Sequence, residues 1–197
     1  VDKVVATKPD AVALISYDEA KKAIPAFKAK KFNGGNFYLV DGNLADYSKT
    51  SFASYLKGSK GTLPGKATAA SFKDKLAAAY KAVEKKDLTE YSYGAETYDA
   101  VMLVALAAQA AGKATGEAIK SELTNVSLAG KGKTTVTNFA AGLAAIKAGK
   151  KVNFDGFSGP IEFDSNGDPT GAYIGIYKYD AKGKYNLVRT VAGNTVK

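Results

Sequence analysis

Residues 10–40 read DAVALISYDEAKKAIPAFKAKKFNGGNFYLV, and this stretch decides the fold class. Its two apolar runs, residues 10–16 and 36–40, contain β-branched and aromatic residues and are typical of strands buried in a parallel sheet. The apolar residues between them recur with a helical period, and Asn33-Gly34-Gly35 ends that helix as a C-cap does. The stretch therefore predicts a strand–helix–strand unit with a right-handed crossover.

The helix of this unit has a start signal. Ser16 and Glu19 are spaced as a capping box, in which the serine hydroxyl accepts the Glu19 N–H and the glutamate reaches back. This spacing places Tyr17 in the first turn of the helix. Pro25 lies inside the helix and is expected to kink it or to mark a later start.

Beyond residue 40 the pattern predicts several helices followed by strands. Helices are expected at residues 48–56, 67–84, 94–111, 117–123 and 137–147, and strands at residues 160–163, 172–179 and 184–190. Gly58 to Gly65 is expected to be a loop or a crossing linker, because it is rich in glycine and contains Pro64. The helix over 94–111 is apolar on nearly all sides, which predicts deep burial. The predicted fold class is α/β with a late antiparallel hairpin.

The composition excludes most catalytic chemistry. The 197 residues include no Cys and no His, so thiolate nucleophiles, histidine bases and the usual zinc ligand sets are absent from this chain. Lys, Tyr and carboxylates remain for proton chemistry, and carboxylates remain as ligands for Mg²⁺ or Ca²⁺. We therefore expect a binding protein rather than an enzyme, with no cofactor and no metal.

The net charge of +9 leaves two interpretations open, a nucleic-acid-binding face or a solvated basic surface. The lysines are spread along the chain, and Arg189 is the only arginine. This favours the solvated surface, because arginine is the usual residue that reads bases and clamps phosphates. No apolar run is long enough to span a bilayer.

Two segments share part of a ligand-binding motif, but each is expected to form a loop or a turn without binding a ligand. Residues 130–134, GKGKT, match the end of a phosphate-binding loop, but Ser127 occupies the position of its first glycine, so a polar loop is expected. Residues 164–168, DSNGD, match part of a calcium loop, but its glycine is misplaced and Gly175 stands where a bidentate acid is needed. A turn is therefore expected there.

Tyr17 and Asp41 are the strongest candidate site residues. Both fall just beyond the carboxyl ends of neighbouring predicted strands, which is the edge at which open α/β sheets bind ligands. Tyr17 would lie beside free N–H groups of the first helical turn, which suit an anion, and Asp41 carries a charge that suits an ammonium group. Together they would hold a zwitterion. The alternatives are a rim aromatic packed on the helix for Tyr17 and an ordinary Asp-Gly turn for Asp41.

Several segments, taken in order, resemble type I periplasmic binding proteins of the leucine/isoleucine/valine class. They are YGAETYDAV at 93–101, which runs into an Ala/Leu-rich helix, the helix at 138–150, DGFSGPIEFD at 155–164, Asn166-Gly167-Asp168 and the hairpin segment at 176–179. The strand at 10–16 and Asp41-Gly42-Asn43 fit the same family. The resemblance covers essentially the whole chain, but only the later half of the family's length.

The resemblance implies two Rossmann-like lobes joined by three crossing segments, with an amino acid bound in the cleft between them. Residues 1–62 would form a βαβ part of the second lobe. Residues 66–165 would form the helical part of the first lobe with a short strand, and residues 170–197 a C-terminal hairpin that returns to the second lobe. Because residues 1–5 read as the tail of a helix, the chain is expected to start inside a repeating unit of a longer protein.

The same resemblance implies roles for individual residues. Tyr17 matches an aromatic beside the ligand, Asp41 the acid that receives the ligand ammonium, and Tyr93 an aromatic near the cleft, while Gly42 and Glu96 are included as their neighbours. The family implies an extracytoplasmic solute-binding component of an ABC importer. Its partners would be a branched-chain or similar amino acid and the membrane permease, with no nucleic acid. The alternative is the ligand-sensing domain of a receptor with the same fold.

Overall fold

The computed structural model describes residues 1–65, 68–164 and 166–194, which fold as two units. Val1–Pro64 and Tyr173–Val191 form the first, which we call the sheet unit. The described residues of Gly65–Ala172, together with those after Val191, form the second, which we call the helical unit. Three parts of the predicted elements lie outside the described residues: the helix start at residue 67, Ser165 of the 164–168 turn, and the last three residues of the hairpin segment.

The sheet unit is built on five strands in the order β1-β2-β3-β6-β7. Its elements are α1 (Asp2–Ala6), β1 (Val12–Leu14), α2 (Ala20–Ala29), β2 (Phe37–Leu39), β3 (Lys60–Pro64), β6 (Gly171–Tyr179) and β7 (Tyr185–Asn194). The first three strands pair in parallel, and β6 pairs antiparallel with β3. The strand–helix–strand unit and the late antiparallel hairpin are therefore confirmed, and α1 is helical where residues 1–5 were predicted to be.

The core of the sheet unit lies on one face of the sheet. Side chains on this face alternate with exposed ones along β2 and β3, as the pleat requires. Helix α2 contributes Ile24 and Phe27, which are buried with Phe37 and Leu39 of β2. The opposite face, which we call the outer face, carries Ile15 at 81% exposure and Tyr38 at 47%.

The helical unit packs helices on a two-stranded parallel sheet. Its elements are α3 (Ala70–Glu84), α4 (Gly94–Ala111), α5 (Gly116–Ser127), β4 (Lys133–Val136), α6 (Phe139–Lys147) and β5 (Lys151–Phe154). Leu106 of α4 and Phe154 of β5 are fully buried at its centre. Gly142 lets α6 approach α4, because a Cβ there would lie 2.5 Å from Leu106 Cδ2.

The segment from Gly58 to Gly65, expected to be a loop or a crossing linker, contains the strand β3, so the loop interpretation is wrong, although the chain does pass to the helical unit after Pro64. The glycine of β3 has a packing role, since a Cβ at Gly61 would lie 2.5 Å from Leu44 Cδ1 and 3.1 Å from the Leu39 carbonyl oxygen. Pro64 is tolerated because it stands at the last position of the strand. Long-range pairing with β2 and β6 therefore overrides the local loop signal.

Other local predictions also need correction. The GKGKT segment enters strand β4, and the predicted strand at 160–163 is present only as isolated bridges, Asp155 with Pro160 and Phe163 with Pro169. Helix α4 has the predicted bounds but not the predicted burial, because Val101 and Val104 are exposed. The short helix predicted at 48–56 is a 3₁₀ turn at Ala53–Leu56.

Two tyrosines of the sheet unit are predicted to make it sensitive to alkali. Tyr47 and Tyr179 are both buried, with ring centroids 6.0 Å apart. Burial, with a smaller contribution from the Asp18 carboxylate, raises the pKa of Tyr47 to about 12. Burial likewise raises the pKa of Tyr179 above its ordinary value. In the unfolded chain both tyrosines have a pKa of about 10, which is below their folded-state pKa values. Their protonated side chains therefore stabilise the folded state fully below about pH 10, and this contribution is lost as the pH rises through about 12.

We therefore expect cooperative unfolding of the sheet unit above about pH 10, with tyrosinate absorbance from this pair appearing together with the loss of circular dichroism. Tyr47→Phe should move this alkaline transition, whereas Tyr38→Phe on the outer face should leave it in place. A titration in which both variants keep the wild-type midpoint would contradict the prediction.

Candidate functional site

The carboxyl ends of β1 and β2 meet at one edge of the sheet, because Leu14 pairs with Leu39. Asp41 follows β2 directly after Val40 and is exposed. Tyr17 follows β1 and is 75% exposed. We call this edge, from Ser16 to Tyr17 and from Val40 to Asn43, the rim.

The backbone around Tyr17 differs from its prediction. Helix α2 begins at Ala20, so Tyr17 precedes the helix instead of lying in its first turn. Its N–H donates to Glu19 Oε2 at 3.0 Å and is therefore not free for an anion. The predicted capping box is therefore not formed, because Glu19 accepts from the Tyr17 N–H instead of the Ser16 N–H, and the Ser16 hydroxyl accepts a hydrogen bond from Asn43 instead of from Glu19. Tyr17 therefore offers its exposed ring to the rim.

Gly42 is required by the close approach of the two rim segments. A Cβ at this position would lie 2.8 Å from the Ser16 carbonyl oxygen and 2.9 Å from Tyr17 Cδ1. The Tyr17 ring thus packs against the backbone next to Asp41. The structure brings Tyr17, Asp41 and Gly42 together, as their positions in the sequence predict.

Asn43 is a part of the rim for which the sequence predicted no role of its own. It is only 3% exposed, and its amide bridges the two strand ends. Oδ1 accepts from the Val40 N–H at 2.9 Å, while Nδ2 donates to the Leu14 carbonyl at 2.8 Å and to Ser16 Oγ at 3.0 Å. An Asp-Gly-Asn sequence signals a turn, but it does not show that the Asn side chain reaches a strand 29 residues away.

The other two candidate residues, Tyr93 and Glu96, lie in the helical unit. Tyr93 is the N-cap of α4, has a left-handed φ of 61° and is 41% exposed. Glu96 stands in the first turn of α4, where an acidic side chain complements the helix dipole. Its carboxylate packs over Gly65, where a Cβ would overlap Glu96 Oε1. Both residues belong to the helical unit, whereas the rim residues belong to the sheet unit.

A buried carboxylate joins the two motifs of the helical unit. Asp99 of α4 is fully buried and accepts hydrogen bonds from the Phe157 N–H at 3.0 Å, the Ser158 N–H at 2.6 Å and the Ser158 hydroxyl. A Cβ at Gly156 would overlap this carboxylate. Both motifs are visible in the sequence, but nothing local to either one shows that they touch.

In the two motif-like segments, Lys133 and Asp164 make local hydrogen bonds. Lys133 Nζ donates to the carbonyls of Asn125 and Leu128, both at 2.6 Å, where it caps the end of α5. Burial, and then the neighbouring Lys151 ammonium, lower the pKa of Lys133. Asp164 Oδ1 accepts the N–H groups of Asn166 and Asp168, and these backbone hydrogen bonds lower the pKa of Asp164.

Neither a membrane-spanning helix nor a metal-binding cluster is present in the described ranges. Within them, no helix is both long and apolar enough to cross a membrane. The same residues contain no cluster of three or more acidic side chains arranged to hold a metal ion.

Comparison with known proteins gives the family. The family described as "Receptor family ligand binding region" matches residues 12–181. This chain belongs to that family. The match begins at β1, includes both motif segments of the helical unit and ends at the β6–β7 hairpin, so every candidate site residue falls inside it.

Among solved structures, the receptor-family chain is similar to a leucine binding protein, LivK, from Thermotoga maritima. The TM-score is 0.64 at 20% sequence identity, over 96% of this chain and 47% of that chain. The chain therefore spans about half the length of this relative. The predicted α/β class and type I periplasmic binding fold are confirmed, and both the family and the structural relative are binding proteins. No curated protein sequence matches the chain.

Proposed function

We propose that this chain is part of an extracytoplasmic solute-binding component of an ABC importer, and that it supplies the ammonium side of an amino acid site. The observation that carries the proposal is the rim, where Asp41 follows the carboxyl end of a parallel strand beside the exposed ring of Tyr17. Open α/β sheets bind ligands at this edge. The family match and the fold of a leucine binding protein support a binding role.

The rim chemistry suits an ammonium group better than a carboxylate. Asp41 supplies negative charge, and its hydrogen bonds to an ammonium would be charge-assisted. The Tyr17 N–H is already used by Glu19, so this N–H is not available to an anion. The Tyr17 ring instead offers an apolar and polarisable wall. The ligand carboxylate would therefore be held by residues other than those of the rim.

We assign the sheet unit to the second lobe of the family's two-lobe architecture and the helical unit to the first lobe. Tyr93 and Glu96 are then the contribution of the helical unit to ligand binding, with the exposed tyrosine ring as the contacting group. The predicted segments, residues 1–62, 66–165 and 170–197, are proposed as the corresponding pieces of the lobes. Binding requires no catalytic step and no cofactor.

Neutralising Asp41 tests the proposal. In the full-length product of the gene, Asp41→Asn should weaken binding of leucine, isoleucine or valine about 10- to 100-fold, because one charge-assisted interaction is lost. Isothermal titration calorimetry with these three amino acids, and with other natural amino acids as a panel, provides the measurement.

The matched control is Asp10→Asn, which removes the same charge at the opposite, amino end of β1. Asp10 is exposed, and its hydrogen bond with Asn36 is made by its backbone carbonyl, which the substitution keeps. This variant should bind as the wild type does. Equal affinities of Asp41→Asn and wild type would sink the ammonium role of Asp41.

The proposed partners are a small amino acid and a membrane permease that recognises the ligand-bound protein. The description of the family as a receptor region favours one second candidate, the ligand-sensing domain of a receptor with the same fold. The gene neighbourhood separates the two. Adjacent permease and ATPase genes support transport, whereas a kinase or cyclase encoded in the same reading frame supports sensing.

A further inference from the structure

Asn43 connects the two halves of the rim through a single side chain. Leu14 and Ser16, which precede Tyr17, receive its two donor bonds, and Val40, which precedes Asp41, provides the N–H that its oxygen accepts. Tyr17 and Asp41 thus each directly follow a residue that the Asn43 side chain holds. The amide orientation follows from these partners, because the oxygen faces a donor and the nitrogen faces two acceptors.

The backbone of Asn43 is itself held in place. Its N–H donates to the Val40 carbonyl at 3.0 Å, and its carbonyl accepts the Tyr47 hydroxyl at 2.7 Å. Tyr47 is buried in the core of the sheet unit. The rim is therefore tied to the core through Asn43.

The packing around Asn43 leaves little freedom between the two segments. Gly42 lies so close to Ser16 and Tyr17 that no larger side chain fits without displacement. A change of a few tenths of an ångström in the Asn43 bridge would therefore move the Tyr17 ring relative to the Asp41 turn. An aspartate cannot replace the amide because it lacks the donors, and an aliphatic residue removes one partner from each of three half-buried polar groups.

We infer that Asn43 is a positioning residue, which sets the placement of Asp41 against Tyr17 and thereby determines how strongly the site prefers ligands that carry an ammonium group. This inference rests on the proposed function. It assigns to Asn43 an effect on ligand selectivity that a residue needed only for folding would not have.

The experiment compares L-leucine with its des-amino analogue, 4-methylpentanoate, by calorimetry on the full-length protein. In Asn43→Ala, leucine affinity should fall about tenfold or more while the analogue loses less than about threefold, so the ratio of the two affinities collapses. Ser16→Ala removes only one of the three bonds and should lower the ratio by about two- to threefold. This second variant keeps the test valid if Asn43→Ala does not fold.

The control is Asn33→Ala, which removes an asparagine that also bonds a backbone N–H, that of Gly35, but lies before β2 and away from the rim. Its affinity ratio should equal that of the wild type. A parallel loss of both ligands in Asn43→Ala, with an unchanged ratio, would show a purely structural residue and overturn the inference.

A ligand-free measurement separates this inference from the proposed function. In Asn43→Ala, amide hydrogen exchange should accelerate at residues 15–18 and 40–43 while α2 stays protected. If the wild type binds no amino acid, the proposed function fails, and unchanged exchange at the rim would then reject the positioning role as well. If the wild type binds no amino acid but exchange at the rim is faster in Asn43→Ala, then the proposed function fails while the positioning role of Asn43 stands.

Discussion

Replacing Asp99 with alanine is expected to lower the free energy of unfolding of the helical unit by about 2–4 kcal/mol. The Asp99 carboxylate is the acceptor for two backbone N–H groups and one hydroxyl of the 157–158 segment. Removing it leaves these half-buried donors without their partner and opens a cavity beside Gly156. Asp99→Asn should cost less, because the amide oxygen still accepts one of the bonds.

Urea unfolding followed by circular dichroism, with hydrogen exchange at residues 95–111 to localise the change, provides the measurement. Asp74→Ala is the matched control, since Asp74 is an exposed aspartate on α3 of the same unit. It should change the free energy of unfolding by no more than about 0.5 kcal/mol. Equal stabilities of the two alanine variants would contradict the role given to Asp99.

A double-mutant cycle sharpens this test. Gly156→Ala should destabilise the wild type strongly, because its Cβ would overlap the Asp99 carboxylate. In the Asp99→Ala background the same glycine substitution should cost much less, since the overlapping atoms are gone. Two additive losses would mean that the two residues do not make the contact seen in the structure.

The second large effect is expected at Phe37, where alanine should lower the free energy of unfolding of the sheet unit by about 3–5 kcal/mol. Phe37 is fully buried, and its ring lies 5.3 Å from Phe27, 5.2 Å from Phe32 and 6.3 Å from Tyr55, measured between centroids. Truncation removes the centre of this aromatic cluster, and the surrounding rings cannot fill the space without moving from their edge-on geometry.

Tyr38→Ala is the matched control for Phe37, because the next residue of the same strand carries an aromatic of similar size on the outer face. Its main contact is the Lys60 ammonium, 5.6 Å from the ring centroid. An exposed cation–π contact contributes about 0.5–1 kcal/mol, so the expected loss is several times smaller. Urea unfolding measures both variants. Similar decreases in the free energy of unfolding would contradict the conclusion that the core lies on one face of the sheet.

The elements predicted well are those whose signals are local. The helix α4 has the predicted bounds because Gly94 and Gly112 flank a continuous run of helix formers. The strands β1 and β2 are recognisable because both are short apolar runs with a helix between them. By contrast, β3 contains a glycine and ends in a proline, so only its partners on both sides make it a strand.

The same distinction applies to the candidate site. Tyr17 and Asp41 could be paired from the sequence because both follow strands that were predicted to be neighbours. The Asn43 bridge and the Asp99 contact join segments 29 and 58 residues apart, and only folding shows which atoms meet. The exposure of Val101 and Val104 on α4 could not be predicted either. An apolar residue is compatible with burial, but the sequence does not show whether another element packs over it.

The pairing of β3 with β6 has a topological consequence. The chain leaves the sheet unit after Pro64 and re-enters it at Tyr173, and Pro64 pairs with Ile174 across the antiparallel ladder. The exit and the re-entry are therefore neighbours, so the helical unit has the connectivity of an insertion into a β-hairpin. A tight two-residue turn is the ordinary way to connect two such strands. Protein engineers could thus excise the inserted segment and close β3 onto β6 with a short loop, which would yield a miniature sheet protein that retains the rim.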